Sequence, residues 1–385
     1  IDRGRAIHMQ IELLGLEKDD HLGIMLVEMY AKSGLLEEAL EVFNNIENRK
    51  DVLSWNVLID GYAEHGPNQS VIDCVKRMQQ DGVVPDMFTF SCIIKACSNL
   101  SLVDMGKDFH IEIICKGLET DTVIGTTLMD MYRKCDLLAE TENVFKKLPK
   151  DNVITWNTAI LGYAEQGYGE MAWHSFEDMG KNCVSGDATS YVGIVKACIM
   201  MAALEKGKLI HEDIVVKGLE GNIFVGSALV VMYTKCGKLL EGRAVFEKFP
   251  SRNVVMWNSM VKGYCLNHEC EIAMRLFRAM QDQGVQPDAT TFTCLITACG
   301  RMSLVHEGRV FFNHMEEIYG ISPNVDHFSC MVDLLGRSGN LFEAEKLLQT
   351  MPCYPATNAQ RALLTACKTF KSSKMGERCH EQLVY

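Results

Sequence analysis

The tripeptide Ser54-Trp55-Asn56 returns as Thr155-Trp156-Asn157 and again as Met256-Trp257-Asn258, each step being 101 residues. Three of the four tryptophans in the chain stand at this one place. No helix or strand has a period of that length, so the spacing marks an internal repeat of whole structural units. Other residues keep the same interval. Cys97, Cys198 and Cys299 each follow an alanine and are 101 apart, as are Cys135 and Cys236. Equivalent placement reads the cysteines as compact, reduced core groups rather than as a disulfide framework. The absence of any C-x-x-C argues against a zinc site.

Smaller units lie inside the superperiod. A partial unit, 1–19, is followed by units at 20–51, 52–86, 87–121, 122–152, 153–187, 188–222, 223–253, 254–288, 289–324 and 325–356. Lengths of 35, 35 and 31 build each full round of 101. In unit 20–51, Leu36, Ala39, Leu40 and Phe43 recur at helical spacing after the break at Ser33-Gly34. This predicts two helices turned back on one another. Residues 1–19 read as the second half of a unit, with a helix from Arg3 to about Leu14. The chain thus opens in mid-unit at Ile1, as a fragment or a mature product would. Pro85 is expected to end the second helix of its unit, since proline lacks an amide proton and restricts the residue before it. The expected fold class is all-α, with about 11 helix-turn-helix hairpins stacked as one solenoid.

Charge narrows the functions. The chain carries 38 basic and 50 acidic residues, a net charge of −12. A general positive field for indiscriminate nucleic-acid binding is absent, so any such role must rest on a local groove. No run of 18 apolar residues exists to span a membrane. Catalytic patterns are missing as well. His110-Ile111-Glu112 matches the H-x-E half of the zinc deaminase signature, but Cys353, after Pro352, has no cysteine three residues on. There is no P-loop, G-x-S-x-G or H-E-x-x-H. No enzyme activity, metal or cofactor is expected of this chain.

The alternating unit lengths, the W-N openings, the pairs Gly61-Tyr62, Gly162-Tyr163 and Gly263-Tyr264, the endings Pro85-Asp86 and Pro287-Asp288, and the runs beginning Met29-Tyr30 and Met131-Tyr132 allow a family to be named. The chain resembles plant pentatricopeptide repeat proteins of the class that alternates ordinary, long and short motifs, the organellar RNA-editing type. Nearly the whole chain carries the resemblance. Residues 325–356 resemble the last short motif of that class, and 357–385 the start of its C-terminal extension, where Gln360 stands in place of a usual tryptophan. The resemblance implies a right-handed α-solenoid superhelix that binds single-stranded RNA, one base per unit. It implies a chloroplast or mitochondrial location. It also implies a role in specifying a cytidine for C-to-U editing, with accessory proteins or a deaminase-bearing protein as partners.

By the same resemblance, the fifth and last residues of each unit select the base. The ordinary units pair Asn56 with Asp86, Asn157 with Asp187, and Asn258 with Asp288. The short units pair Thr126 with Asn152 and Ser227 with Asn253, and the long units Ser91 with Asp121 and Thr293 with Asn324. Asn with Asp reads U, because Asp only accepts and suits the uracil N3–H; Ser or Thr with Asn reads A. A single Asn–Asp pair is explained by a helix cap and a turn. Three in register, interleaved with two Ser/Thr–Asn pairs, point beyond that. Ile24, Val192 and Ala356 break the pattern. The second residues Leu53, Phe88, Val123, Ile154, Phe224 and Val255 are implied to stack on bases, and Lys32, Lys134, Lys235 and Arg337, at position thirteen, to meet phosphates. The tryptophans are expected in the core. Two other readings stay open: a protein-binding α-solenoid scaffold, and an RNA binder that stabilises or processes transcripts without editing.

Overall fold

A computed structural model describes residues 2–16, 19–46, 51–349, 351 and 357–370. Among the described residues it holds 22 α-helices and no strand. The chain divides into two compact units, Ile1–Ala197 and Cys198–Tyr385. The first begins with α1 (Asp2–Leu13), followed by the pairs α2 (Asp20–Lys32) and α3 (Leu36–Asn45), α4 (Val52–His65) and α5 (Asn68–Gln80), α6 (Met87–Leu100) and α7 (Val103–Cys115), α8 (Thr122–Lys134) and α9 (Leu138–Lys147), and α10 (Val153–Glu165) and α11 (Gly169–Lys181). The boundary between the two falls within α12 (Ala188–Met200). The second continues with α13 (Leu204–Val216), α14 (Ile223–Lys235), α15 (Leu239–Glu247), α16 (Val254–Leu266), α17 (Cys270–Asp282), α18 (Ala289–Met302), α19 (Val305–Glu317), α20 (Val325–Arg337), α21 (Leu341–Gln349) and α22 (Thr357–Thr369). Within each compact unit the hairpins stack as a solenoid. First helices lie beside first helices, as α2, α4, α6, α8 and α10 do, and α14, α16, α18, α20 and α22.

The starts of the first helices are written in the sequence. Asp19, Asp51, Asp86, Asp121, Asn152, Asn222, Asn253, Asp288 and Asn324 are N-caps whose side chains accept hydrogen bonds from the first-turn amides. The ends of the second helices correct one expectation. The helix α5 stops at Gln80, five residues before Pro85. The stop is Gly82, whose positive φ of 76° is open to a residue without Cβ; Gly82 and Val83 then donate back to the Gln79 and Met78 carbonyls. Pro85 comes too late to end the helix.

The repeated large residues are the joints between hairpins. Trp55, Trp156 and Trp257 are buried. Each meets the phenylalanine of the preceding second helix edge to face: Phe43 at 4.7 Å, Phe145 at 5.3 Å and Phe246 at 4.8 Å between centroids. Small residues let helices close up. A Cβ on Gly61 would lie 2.5 Å from the Ala31 Cβ, and one on Gly106 or Gly207 2.2–2.3 Å from the sulfur of Met131 or Met232. Cys97, Cys198 and Cys299 are buried. In the second compact unit, α22 covers the last hairpin, with Ala359, Leu363 and Cys367 packed on Val332, Leu335, Ala344 and Leu348. Gln360 is buried in that helix. Ala356, Pro352 and Cys353, and the extension-like residues 371–385, lie outside the described residues. No described helix is long and apolar enough to cross a membrane.

Candidate functional site

Asn56 sits one turn into α4, five residues past its N-cap, and its partner Asp86 is the N-cap of α6. Stacking the two helices side by side closes the gap of 30 residues. Asn56 Nδ2 donates to Asp86 Oδ2 at 2.9 Å. The other two copies repeat the bond: Asn157 Nδ2 donates to Asp187 Oδ1 at 2.9 Å, and Asn258 Nδ2 to Asp288 Oδ1 at 2.8 Å. The near-burial of these asparagines is not evident from the sequence. They are only 8%, 7% and 6% exposed, because the neighbouring helix presses on them with both the carboxylate and a third side chain. Of their partners, Asp86 and Asp288 are half-buried and Asp187 is exposed.

That third side chain was not among the sequence candidates. Thr89 Oγ1 donates to Asn56 Oδ1 at 2.6 Å, Ser190 Oγ to Asn157 Oδ1 at 2.5 Å, and Thr291 Oγ1 to Asn258 Oδ1 at 2.7 Å. All three hydroxyls belong to buried residues. Each also closes a capping box with its aspartate, accepting the Asp backbone N–H while the Asp side chain accepts the hydroxyl residue's own N–H. The signal was legible as Asp-x-x-Thr or Asp-x-x-Ser at 86–89, 187–190 and 288–291. Burial would raise the carboxyls of Asp86 and Asp187, but the bonds from the backbone, the asparagine and the hydroxyl outweigh it and hold both below the usual carboxylate range. Each is therefore an ionised acceptor at neutral pH.

The other pairs differ among themselves. Asn253 Nδ2 donates to Ser227 Oγ at 2.8 Å while its oxygen caps α16. No hydrogen bond joins Thr126 to Asn152: Thr126 Oγ1 turns back to the Thr122 carbonyl at 2.7 Å, and Asn152 caps α10. Likewise Ser91 faces Thr127 at 3.5 Å while Asp121 caps α8, and Thr293 donates to the Ala289 carbonyl while Asn324 caps α20.

The second residues share a setting. Leu53, Phe88, Val123, Ile154, Phe224 and Val255 are 43–69% exposed, although each is a large apolar side chain in the first turn of a first helix. Helix packing does not account for them, and an apolar or π surface at one register position suits stacking. The candidate cations are more engaged than the sequence implied. Lys32 is 2.6 Å from Glu28, Lys134 3.1 Å from Asp130 and Arg337 2.7 Å from Asp333, each acid one turn earlier on the same helix. Lys235 has Val231 at that place, is exposed, and has no carboxylate within ion-pair distance among the described residues. Thr126 and Lys134 line one open cleft of about 390 Å³ with Lys95, Arg133 and Glu165. His110 serves packing between helices. Its Nδ1 lies 2.7 Å from the Tyr132 hydroxyl, and His211 repeats the contact with Tyr233 at 2.8 Å.

Sequence comparison matches residues 50–99, 151–200 and 252–301 to a model described as the PPR repeat family, and residues 25–50, 88–118, 290–318 and 326–354 to one described as the PPR repeat. Among curated relatives, a pentatricopeptide repeat-containing protein of Arabidopsis thaliana is 35% identical over 386 residues, covering 100% of this chain and 56% of the relative. A second Arabidopsis protein of that description, named chloroplastic, is 33% identical, with 100% and 47% covered. A third, named mitochondrial, is 33% identical, with 100% and 69% covered. The chain thus spans about half the length of the first two. The crystal structure of the maize pentatricopeptide repeat protein PPR10 superposes with a TM-score of 0.70 at 17% identity, covering 98% of this chain and 60% of that one.

Proposed function

The chain belongs to the pentatricopeptide repeat family, and from that premise we propose that it binds single-stranded RNA in a sequence-specific manner, one base per unit. The observation that carries this reading is the pocket built three times from the same parts. Asn56, Asn157 and Asn258 are each bonded to an aspartate, and each has an exposed apolar residue three positions earlier: Leu53, Ile154 and Val255. An N–H beside an ionised carboxylate complements a uracil edge, whose carbonyl accepts and whose N3–H donates. The flanking apolar side chains offer stacking surfaces to any base. Ser227 with Asn253, and Thr126 with Asn152, are the positions assigned to adenine.

With the chain running from the 5′ to the 3′ end of the RNA, Ser91 with Asp121 taken as G-like and the unit broken by Val192 as any base, units 52–86 to 289–324 then call for U-G-A-U-N-A-U-A. The alternation of 35- and 31-residue units and the extension-like segment from 357 support the finer reading, that the bound site specifies a cytidine for C-to-U editing. The chemistry would be supplied by a deaminase-bearing protein or a further domain. Relatives named chloroplastic and mitochondrial support an organellar setting.

The test is a mobility-shift titration at fixed salt with that RNA and with one in which every U and A are exchanged. The matched RNA is expected to bind at least about tenfold more tightly, one bidentate base contact alone being worth about 1–3 kcal/mol. Equal binding of the two would remove the base assignments.

A further inference from the structure

The hydroxyl that meets each asparagine does something that helix capping does not require. Position three of the next unit holds Ser or Thr at five described places: Ser54, Thr89, Thr155, Ser190 and Thr291. All five are buried. The preceding N-caps, Asp51, Asp86, Asn152, Asp187 and Asp288, are all of capping type. Yet the hydroxyl behaves in two ways. Where the fifth residue upstream is Asn56, Asn157 or Asn258, it donates to the asparagine oxygen at 2.5–2.7 Å. Where that residue is Ile24 or Thr126, the oxygen of Ser54 or Thr155 is buried with no hydrogen-bond partner. The asparagine contact and the capping box occur together, in the same three hydroxyls.

We propose that Thr89, Ser190 and Thr291 are specificity-determining positioning residues, whose hydroxyls fix the direction of the asparagine amide in each pocket. The proposal rests on the base-reading function above. An amide is nearly symmetric in shape, and only its hydrogen bonds decide which end is nitrogen. Here Oδ1 is drawn inward by a buried hydroxyl, and Nδ2 is drawn to the carboxylate. The bonds from Asn157 and from the Ser190 backbone N–H converge on Asp187 Oδ1, and Asp288 Oδ1 collects the same two. The outward edge is therefore one N–H donor and one carboxylate. Uracil presents an acceptor and a donor to such an edge; cytosine, with an unprotonated N3, presents a second acceptor to the carboxylate. A reversed or swung amide would set two acceptors side by side and lose that discrimination. Being buried, the hydroxyl does not touch the RNA and acts only through the asparagine.

Ser190→Ala in the full chain deletes a single oxygen from the pocket that reads the second U. Affinities are measured for RNAs carrying U or C opposite that pocket, and opposite the Asn258 pocket as an internal reference. The expected result is a loss of about fivefold in the U-to-C preference at the Asn157 position. The preference at the Asn258 position should be unchanged, and Ser190→Thr should restore the first. Thr291→Val with its rescue Thr291→Ser repeats the test in the second compact unit, should Ser190→Ala not fold. An unchanged preference in a folded hydroxyl-free variant would overturn the proposal, and so would an equal loss at both positions, which marks a general structural effect. A wild-type chain that does not prefer U at either position would show that the base assignment itself has failed, and the proposal with it.

Discussion

Asp86 and Asp187 each do two jobs, capping a helix and holding an asparagine, and the ionised form, as the stronger acceptor, serves both best. Their folded pKa values lie below the usual range, set by hydrogen bonds that outweigh burial. The sign follows from linkage. Their stabilisation is fully present above the unfolded value of about 3.9 and is lost as pH falls through the lower folded values. Asp86→Asn with Asp187→Asn keeps a capping side chain but removes that titration. The double variant should show a shallower fall in melting temperature between about pH 4.5 and 2 than wild type; an identical acid limb would say that these carboxyls are not specially held. At this scale the pairing of Asn56 with Asp86 comes from the family resemblance, laid over residue types and spacing. The direction of the amide and the role of Thr89 could not be read from either. Thr89 is 33 residues from Asn56, and only the packing of α4 against α6 brings the hydroxyl to the oxygen. The near-burial of the asparagines was hidden for the same reason.

Helix α4 approaches α2 so closely that Gly61 has no room for a methyl group. A Cβ there would stand 2.5 Å from the Ala31 Cβ and 3.2 Å from its Cα, which is backbone and cannot swing aside. Gly61→Ala is expected to cost about 1–3 kcal/mol in a denaturant melt through overpacking, in spite of alanine's better helix propensity. Gly180, near the end of α11, has nothing within 4 Å of the same point. Gly180→Ala should accordingly stabilise, by about 0.5–1 kcal/mol. Similar effects from the two would refute the packing assignment. Elements were the most legible level. Periodicity and the Ser33-Gly34 break pointed to paired helices, while terminations were harder. Beyond glycines such as Gly82, the turns use left-handed residues with no sequence mark, Ser101, Asp136, Ala202, His268 and Ser303 among them. Their conformation is imposed by the helices on either side.

A net charge of −12 bears on the whole molecule, because the proposed single-stranded RNA would have to be met without a general positive field. Lys32, Lys134 and Arg337 each share their charge with an acid on the same helix, so on the proposed reading they would neutralise phosphate weakly, whereas Lys235 is unpaired among the described residues. Lys235→Ala should lower the slope of log K against log salt by about 0.7, the value for one single-strand phosphate. Lys32→Ala should lower it by less. Equal changes would show that the intrahelical pairs open on binding. Uracil reading by the Asn–Asp edges is best tested by a specificity swap. In the triple variant Asp86→Asn, Asp187→Asn, Asp288→Asn, each pocket gains an N–H donor where it had an acceptor, which suits the unprotonated N3 of cytosine. Equilibrium binding is measured for wild type and variant against U-G-A-U-N-A-U-A and against the same RNA with its three U replaced by C. A crossing is expected: wild type prefers the U form and the variant the C form, each by at least about tenfold. A variant that loses affinity for both RNAs in equal measure, with its preference unchanged, would contradict uracil reading by these pockets.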